Sequence, residues 1–188
     1  ALYHAASSTI SELTADPKHL GAKVGYICIL HTWGSEMNFH PHIHAILLGG
    51  GLASNNQWKD NGENFFLPIR VISKVFRGKY LDELKRLWKE DKLVFHGIAE
   101  KFRNHYTFKE LLDSCYGMDW IPHCKKTFNG AQTVMKYLGK YTHRIAVSNH
   151  RIVRMDDDTV TFLVKDYRND GQWKELTISG VEFVRRFL

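Results

Sequence analysis

Cysteine is scarce in this chain, and long hydrophobic runs are missing. The 3 cysteines among 188 residues, Cys28, Cys115 and Cys124, are too few and too far apart for a disulfide framework. No apolar run approaches the roughly 20 residues that a membrane helix needs, and the sequence shows no signal-peptide pattern. These absences predict a protein of the reducing cytoplasm without a membrane span.

Internal repeats, low-complexity segments and clear linkers are also missing. Hydrophobic residues make up 44% of the chain and charged residues 24%, which is ordinary for a globular protein. A length of 188 residues is sufficient for one sizeable domain with its own core. We therefore predict a single domain over residues 1–188.

Acidic residues are absent from one long window, residues 120–155. The same window holds seven basic residues, which exceed the net charge of +6. They are Lys125, Lys126, Lys136, Lys140, Arg144, Arg151 and Arg154, with aromatic residues interleaved at Trp120, Phe128, Tyr137 and Tyr141. Cations for phosphates and rings for bases are the usual composition of a surface that binds single-stranded nucleic acid. A solvated basic face has the same composition and stays open as the alternative.

Apolar periodicity and turn residues predict a mixed α+β fold. We expect helices over residues 2–13, 73–90, 107–116, 130–143 and 179–188. We expect strands over residues 23–33, 42–48 (ended by the glycine run 49–51), 65–72 and 119–128, and three C-terminal strands with turns at 156–158 and 169–171. Helix caps are expected at Ser73, at Thr107 with Glu110, at Asn129, and at Ser179 with Glu182. The short turns favour an antiparallel sheet.

Histidines crowd the segment FHPHIHAILLGGG, residues 39–51. Because alternate side chains of a strand share a face, His42 and His44 point the same way, about 7 Å apart along the strand. His31, on the preceding predicted strand, lies beside them if residues 32–41 form the turn of a hairpin. Three imidazoles can bind one metal ion and leave coordination positions open, which is typical of a catalytic site.

Other interpretations of the histidines stay open. They can be surface or partly buried residues with satisfied hydrogen bonds and no metal. A structural zinc finger is not favoured, because no cysteine accompanies them. The direction of His40 cannot be read from the pattern, because Pro41 separates it from the alternating pair.

A second group of reactive side chains lies in the segment KYLGKYTHR, residues 136–144. Tyr137 and Tyr141 are four residues apart on a predicted helix, and Lys140 shares their face. Gly139 costs such a helix roughly 1 kcal/mol relative to alanine, which indicates close approach of another backbone or a ligand. Packing is the ordinary role of a tyrosine pair, but lysines surround this pair within the acid-free window.

Together these motifs resemble a known class of enzymes. A His-hydrophobic-His strand followed by a Tyr-x-x-x-Tyr helix is similar to the HUH endonucleases with two tyrosines. The segments LHTWG, HPHIHAILLGGGL, KVFRGKYLDELKRL and YLGKYTHRIAVSNHRI resemble the core of the two-tyrosine rolling-circle transposases of bacterial insertion sequences. The resemblance runs over essentially the whole chain. Members also carry an N-terminal cysteine-rich zinc-binding region and further C-terminal sequence, so the resemblance implies a truncated catalytic core or a degenerate copy.

The resemblance implies a fold and an activity. The fold is a central antiparallel sheet flanked by helices, the HUH core of the RRM or ferredoxin-like type. The activity is metal-dependent nicking and transfer of single-stranded DNA, at transposon ends and targets, through a 5′-phosphotyrosine intermediate. A transposase of this kind acts in the bacterial cytoplasm, at the nucleoid.

The resemblance also implies roles for individual residues. Tyr137 and Tyr141 correspond to the nucleophiles, and Lys140 is placed to steady the phenolate or the transition-state oxygens. His42 and His44 correspond to ligands of Mg²⁺ or Mn²⁺, with His31 as the expected third ligand and Gln132 as its rival. The residues expected to contact DNA are Lys125, Lys126, Lys136, Arg144 and Arg151.

Two functions of other classes stay open. The chain can be a binding module for single-stranded DNA that has lost its chemistry, although both halves of the nicking site are present in the sequence. It can also be a metallohydrolase acting on a small phosphoester. That interpretation is less favoured, because no acidic residue closely follows His44 to bridge a second metal ion.

Overall fold

The computed structural model describes residues 1–62, 67–125, 131–142, 146–166 and 169–188, and within 131–142 it describes the side chains of residues 132–136, 138 and 139. The α-helices are α1 (Leu2–Ala15), α2 (Ile69–Lys89), α3 (His105–Gly117), α4 (Ala131–Thr142) and α5 (Gly180–Phe187), with 3-10 helices at Gly97–Arg103 and Asn149–Arg151. The strands are β1 (Lys23–Trp33), β2 (Phe39–Leu52), β3 (Trp58–Asp60), β4 (Ile152–Met155), β5 (Thr159–Asp166) and β6 (Gln172–Ser179). Among these residues, no helix combines the length and the apolar character needed to cross a membrane.

The strands of the described residues form two three-stranded sheets, with the orders β1-β2-β3 and β4-β5-β6. Residues 34–38 connect β1 to β2, and a connection this short makes the two strands an antiparallel hairpin. β3 pairs antiparallel with β2, and β5 pairs antiparallel with both β4 and β6. The predicted α+β class is confirmed. The described strands do not form one central sheet, because each consecutive set of three is joined by short turns and pairs locally.

The chain divides into two compact units. The first unit consists of residues 1–28 and 45–125, and the second consists of residues 29–44 and 126–188. Each unit therefore takes part of β1 and part of β2. The assignment of residues 1–188 to one domain stays a prediction.

Helix packing dominates the first unit, where α2 contacts both α1 and α3. The ring of Trp88 on α2 stacks on that of Phe108 on α3 with centroids 5.3 Å apart. The indole nitrogen of Trp88 donates to the carbonyl oxygen of Phe102 at 2.9 Å. A buried cluster of Leu20, Ala22 and Val24 connects the start of β1 to this unit.

The glycine run 49–51 lies inside β2 rather than at its end. A Cβ on Gly51 would lie 2.5 Å from the carbonyl oxygen of Lys23 on β1, and a Cβ on Gly50 would lie 2.7 Å from that of Lys59 on β3. Backbones can approach this closely only where a side chain is absent. The predicted strand end at this run is therefore wrong.

Two predicted helix starts are also wrong. α2 begins at Ile69 with Pro68 as its N-cap, so Ser73 lies in its second turn and is not a cap. Residues 69–72, which were predicted to end a strand, are helical instead. The fixed φ of proline suits a helix start. α3 is capped by Asn104, whose side-chain oxygen accepts from the backbone N–H of Tyr106 at 2.8 Å, and not by Thr107. The predicted cap at Asn129 lies outside the described residues.

The strand predicted over residues 119–128 is not present in residues 119–125. The side chains of α2 hold this segment instead. The ring of Trp120 lies 5.7 Å from that of Phe76 and 5.6 Å from that of Tyr80. Ser73 donates its hydroxyl hydrogen to the carbonyl oxygen of Trp120, so that carbonyl is satisfied without a sheet.

The three C-terminal strands and their turns are confirmed, and they form the core of the second unit. Val160, Phe162 and Val164 alternate on the inner face of β5 and are buried. Leu176 and Ile178 of β6 and Phe183 of α5 pack against them. The predicted cap of α5 is confirmed, because the hydroxyl of Ser179 accepts from the backbone N–H of Glu182 at 3.2 Å.

Candidate metal centre and nucleic-acid surface

The hairpin of β1 and β2 places three imidazoles together. His31 lies two residues before the end of β1, and His42 and His44 alternate on the facing part of β2. One nitrogen atom from each histidine lies within 4.8 Å of those from the other two. All three side chains are partly buried and belong to the second unit. The predicted hairpin thus brings His31 beside the pair.

The rings of the histidine cluster (His31, His42 and His44) lie close to one another. Ring centroids are 4.3 Å apart for His31 and His44, 4.9 Å for His42 and His44, and 5.4 Å for His31 and His42. Nitrogen ligands at 2.0–2.1 Å from a tetrahedral metal ion stand about 3.4 Å from one another. The nitrogen atoms of the cluster lie within 4.8 Å of one another, and three neutral imidazoles are a donor set that fits a divalent ion.

A backbone carbonyl fixes the protonation of one imidazole. Nδ1 of His42 lies 2.7 Å from the carbonyl oxygen of His40. A carbonyl oxygen can only accept, so Nδ1 carries the hydrogen and the lone pair of a neutral ring is on Nε2. Metal-binding histidines commonly use their second nitrogen in this way, because the hydrogen bond orients the ring.

Pro41 accounts for the position of that carbonyl. Proline drives the preceding residue into extended backbone, and His40 has the strand conformation immediately before Pro41. A proline inside β2 is tolerated here because β3 pairs only with residues 50–52 of β2. Near residue 41, one edge of β2 therefore has no strand partner among the described residues, and proline is tolerated in strands where its nitrogen faces such an edge.

The turn of this hairpin is held by β5. The backbone N–H of Lys165 donates to the hydroxyl of Ser35 at 2.6 Å. The guanidinium of Arg151 donates to the carbonyl oxygen of Ser35 at 2.5 Å and, from Nε, to that of Leu163 at 2.8 Å. Charged donors to backbone carbonyls are among the stronger hydrogen bonds in proteins.

Met37 anchors the same turn in the core. Its side chain is 1% exposed and packs with Phe162, Val164 and Val147. Its backbone has φ 57°, a left-handed conformation that is uncommon for a side chain of this size. Burial of the thioether in the core compensates for the cost of that conformation.

The helix α5 contributes the remaining contacts to the turn. Arg186 donates to the carbonyl oxygen of Glu36 at 2.8 Å, and its own carbonyl oxygen accepts from the indole of Trp33 at 3.0 Å. Hydrogen bonds from Arg185 and then Arg186 lower the pKa of Glu182 to about 2. The guanidinium of Arg186 is thus held between a carboxylate on its own helix and a carbonyl of the hairpin turn.

The predicted tyrosine helix is confirmed as α4, whose 12 residues include positions 137 and 141 one turn apart. The side chains of Tyr137, Lys140 and Tyr141 lie outside the description. α4 and the histidine cluster belong to the same compact unit, although they are far apart in sequence. Gln132, the rival third ligand, is exposed in the first turn of α4.

The five predicted DNA-binding cations have different surroundings. Lys125 and Lys136 are exposed. Lys126 and Arg144 lie outside the described residues. Arg151 is partly buried and donates to two backbone carbonyls, so a structural role accounts for it, and a DNA contact from it stays a prediction.

With this geometry in hand, comparison with known proteins identifies the family. The model of the family Y2_Tnp, described as "Putative transposase", matches residues 25–188 and so includes the histidine hairpin, α4 and the C-terminal sheet. The chain belongs to the Y2_Tnp family. The resemblance seen in the sequence motifs is confirmed at this level.

Two curated relatives of this Y2_Tnp chain extend the comparison. "Putative transposase y4qJ" of Sinorhizobium fredii (strain NBRC 101917 / NGR234) is 39% identical over 188 residues, which cover all of this chain and 47% of that protein. "Transposase for insertion sequence element IS801" of Pseudomonas savastanoi pv. phaseolicola is 30% identical over 172 residues, which cover 90% of this chain and 40% of that protein. The chain thus spans about half the length of these relatives or less. No solved structure matches it significantly.

Sequence reasoning missed the residues that hold the Y2_Tnp hairpin in place. Ser35, Met37 and Arg186 gave no signal, because turn serines, methionines and surface arginines occur in every protein. One signal was present for His40. Its position immediately before Pro41 predicts an extended backbone, and His40 has that conformation in β2.

Proposed function

We propose that this chain is the catalytic core of a transposase that nicks single-stranded DNA and transfers the cut strand. The proposal includes the HUH fold implied by the sequence motifs, in which a hairpin such as β1–β2 carries the metal ligands. Membership of the Y2_Tnp family supports it, as does the clustering of three histidines in the unit that contains α4. Action on DNA places such a protein in the cytoplasm, at the nucleoid.

His31, His42 and His44 would hold a divalent ion, Mg²⁺ or Mn²⁺ in our proposal. Imidazole nitrogens suit Mn²⁺, and phosphate oxygens of the substrate can complete the shell of either ion. When bound, the ion polarises a phosphodiester and neutralises charge that develops on its oxygens. The histidine cluster fits this ion by its donor set, its 4.8 Å spacing and the fixed tautomer of His42.

Tyr137 and Tyr141 supply the nucleophiles. A phenol oxygen forms a bond to phosphorus, the bond from phosphorus to the 3′-oxygen breaks, and the proton lost by the phenol is balanced by one gained at the 3′-oxygen. The products are a free 3′-hydroxyl and DNA joined through its 5′-phosphate to tyrosine. One ester replaces another, so rejoining requires no nucleotide cofactor.

A second tyrosine one turn away gives the core a second chemical step. While one tyrosine holds a cleaved 5′ end, the other can attack a second strand, which is what strand transfer requires. Lys140 lies between them in sequence and is placed to stabilise the phenolate or the transition-state oxygens. Lys125, Lys126, Lys136 and Arg144 supply positive charge for the DNA backbone.

One observation carries this proposal: three imidazoles from two strands converge within 4.8 Å in the same unit as a helix with tyrosines at positions 137 and 141. A general nucleic-acid-binding module needs cations and rings but has no need for convergent imidazoles. The histidine cluster therefore favours a catalytic core over a module that only binds nucleic acid.

The test is a covalent-adduct assay on a random-sequence single-stranded DNA library with Mn²⁺. A label at the 3′ end should migrate with the denatured protein, and a label at the 5′ end should stay on a shortened free strand. A variant with both Tyr137→Phe and Tyr141→Phe should form no adduct. Tyr106→Phe, at an exposed tyrosine of the first unit, is the matched control and should retain the full yield.

Other outcomes separate the alternatives. DNA retention that falls with salt but gives no adduct would replace the proposal with a binding module. Turnover of a generic phosphoester without DNA would favour a metallohydrolase. An adduct that carries the 5′ label instead would reverse the polarity of cleavage and contradict the proposed mechanism.

A further inference from the structure

The second unit has an outward sheet face that its core does not use. Along β5, Val160, Phe162 and Val164 point inward, so Lys165 points to the opposite face. Trp173 on β6 is the direct cross-strand partner of Lys165. An indole and an ammonium group therefore stand side by side on this outward face.

Trp173 is 54% exposed, which is unusual for the largest apolar side chain. Two cations lie near its ring. Nζ of Lys165 is 5.4 Å from the ring centroid, and Cζ of Arg151 is 5.7 Å from it. Both distances are within the range of a cation–π contact. The ring is thus oriented by its neighbours while about half of its surface remains in contact with solvent.

The position of Arg151 is fixed by the hairpin turn. Its guanidinium donates to the carbonyl oxygens of Leu163 and Ser35. Both of these acceptors are neutral backbone carbonyls. Glu175, exposed two residues along β6, carries the opposite charge and disfavours phosphate on its own side of the ring.

The same contacts connect this face to the histidine hairpin. Ser35, which contacts both Arg151 and Lys165, is four residues after His31. Four extended residues span roughly 14 Å at most. A strand of DNA whose phosphate reaches the histidine cluster can therefore extend to Trp173 within a few nucleotides.

We propose that Trp173, Lys165 and Arg151 form a base-stacking site for single-stranded DNA beside the histidine cluster. An unpaired base stacks on the exposed part of the indole, and the adjoining phosphates lie against the ammonium and guanidinium groups. The site reads no sequence, because every base offers a flat ring. This inference rests on the proposed function, since it assigns where the substrate of the nicking reaction lies outside the reacting phosphate.

The test measures binding of a fluorescent single-stranded oligonucleotide in EDTA, where no metal bridges protein and DNA. Trp173→Ala should weaken binding about 5- to 150-fold, the range expected from the loss of one stacked base. Trp173→Phe should recover most of the affinity, because phenylalanine also stacks. Trp58→Ala is the matched control, since Trp58 is 57% exposed in the first unit, and it should leave binding unchanged.

Photocrosslinking with 5-iododeoxyuridine in the same oligonucleotide gives a direct readout. Mass spectrometry should find the crosslink on Trp173, and circular dichroism should show that Trp173→Ala retains the fold. Wild-type affinity in Trp173→Ala, or crosslinks confined to the first unit, would overturn the inference. If Trp173 binds DNA but no adduct ever forms, the stacking site stands and nicking fails. If the adduct forms but Trp173→Ala binds DNA like the wild type and no crosslink is found on Trp173, nicking stands and the stacking site fails.

Discussion

Nδ1 of His42 donates to the carbonyl oxygen of His40 at 2.7 Å, and this contact directs the Nε2 lone pair of His42 away from the strand backbone. The three imidazoles then form a donor set in which at least one member already has the tautomer that a metal ion requires. The proposed metal binding would therefore require no change of tautomer at His42.

Loss of one imidazole should abolish most of the metal affinity. We expect His42→Ala to weaken Mn²⁺ binding by more than the roughly 10- to 100-fold that loss of an outer hydrogen-bond partner costs. Isothermal titration with Mn²⁺, and the visible spectrum of the Co²⁺-loaded protein, measure this. His150→Ala, at an exposed histidine of the same unit, is the control and should bind as the wild type does. If His42→Ala bound Mn²⁺ as tightly as the wild type does, the histidine cluster would not be the metal site.

Pro41 should matter for the metal although it offers no ligand atom. Pro41→Gly frees the backbone of His40 and loosens the carbonyl that orients His42. We expect Mn²⁺ affinity to fall by about 10-fold, at the lower end of the effect of outer-shell changes, with little change in the circular dichroism spectrum. Alanine restricts the backbone more than glycine does, so the Mn²⁺ affinity of Pro41→Ala should lie between those of the wild type and Pro41→Gly. An unchanged affinity in Pro41→Gly would show that the carbonyl does not orient the ring.

Met37 should contribute more to the free energy of unfolding than a turn residue usually does. Met37→Ala removes a side chain that is 1% exposed, and such substitutions typically cost about 2–5 kcal/mol of unfolding free energy. Urea denaturation followed by fluorescence measures it. Met155→Ala, 65% exposed in the same unit, should change stability by less than about 0.5 kcal/mol. Similar effects of the two substitutions would contradict the burial of the turn.

Exposed lysines should set the salt dependence of DNA binding. If Lys136 contacts a phosphate, Lys136→Ala should reduce the slope of log affinity against log salt by about 0.7, the value for one contact to a single strand. Lys125→Ala should do the same. Lys92→Ala is the control, because Lys92 is paired with Glu90 at 2.7 Å, and its slope should match the wild type. If Lys125→Ala and Lys136→Ala kept the wild-type salt slope, these two lysines would not contact the DNA backbone.

Gly139 offers a test of ligand approach at α4. Among the described residues, no heavy atom lies within 4 Å of the position that a Cβ would take. Gly139→Ala should therefore raise the unfolding free energy by up to about 1 kcal/mol through helix propensity. If DNA also approaches the face of α4 that carries residue 139, which lies about 200° around the helix from both tyrosine positions, the adduct yield should nevertheless fall. Gly78→Ala in α2 has equally open surroundings and should leave the yield unchanged.

Local features of this molecule could be read from the sequence. Strand alternation placed His42 and His44 on one face, and the short connection after Trp33 placed His31 beside them. The C-terminal strands were readable because turn residues at 156–158 and 169–171 separate β-branched runs. These patterns depend only on residues close together in sequence, so they can be interpreted without knowledge of the fold.

Contacts between distant segments could not be read in this way. Arg151 bonds to Ser35 across 116 positions, and a basic residue in an acid-free window gives no sign that backbone carbonyls will bind it. The glycines of β2 were interpreted as a strand end, because glycine disfavours strands on average. The close approach of Gly51 to the carbonyl of Lys23 depends on the neighbouring strand. Propensity cannot report a contact of that kind.

The fastening of the hairpin turn by Arg151, Lys165 and Arg186 has a consequence for biosynthesis. A ribosome releases the turn of the hairpin well before the segments that hold it, because Arg151 follows Ser35 by 116 positions and Arg186 follows Glu36 by 150. The nascent hairpin is therefore left without these supports while the intervening residues are made. The histidine cluster therefore acquires its final geometry only once α5 has folded onto the turn.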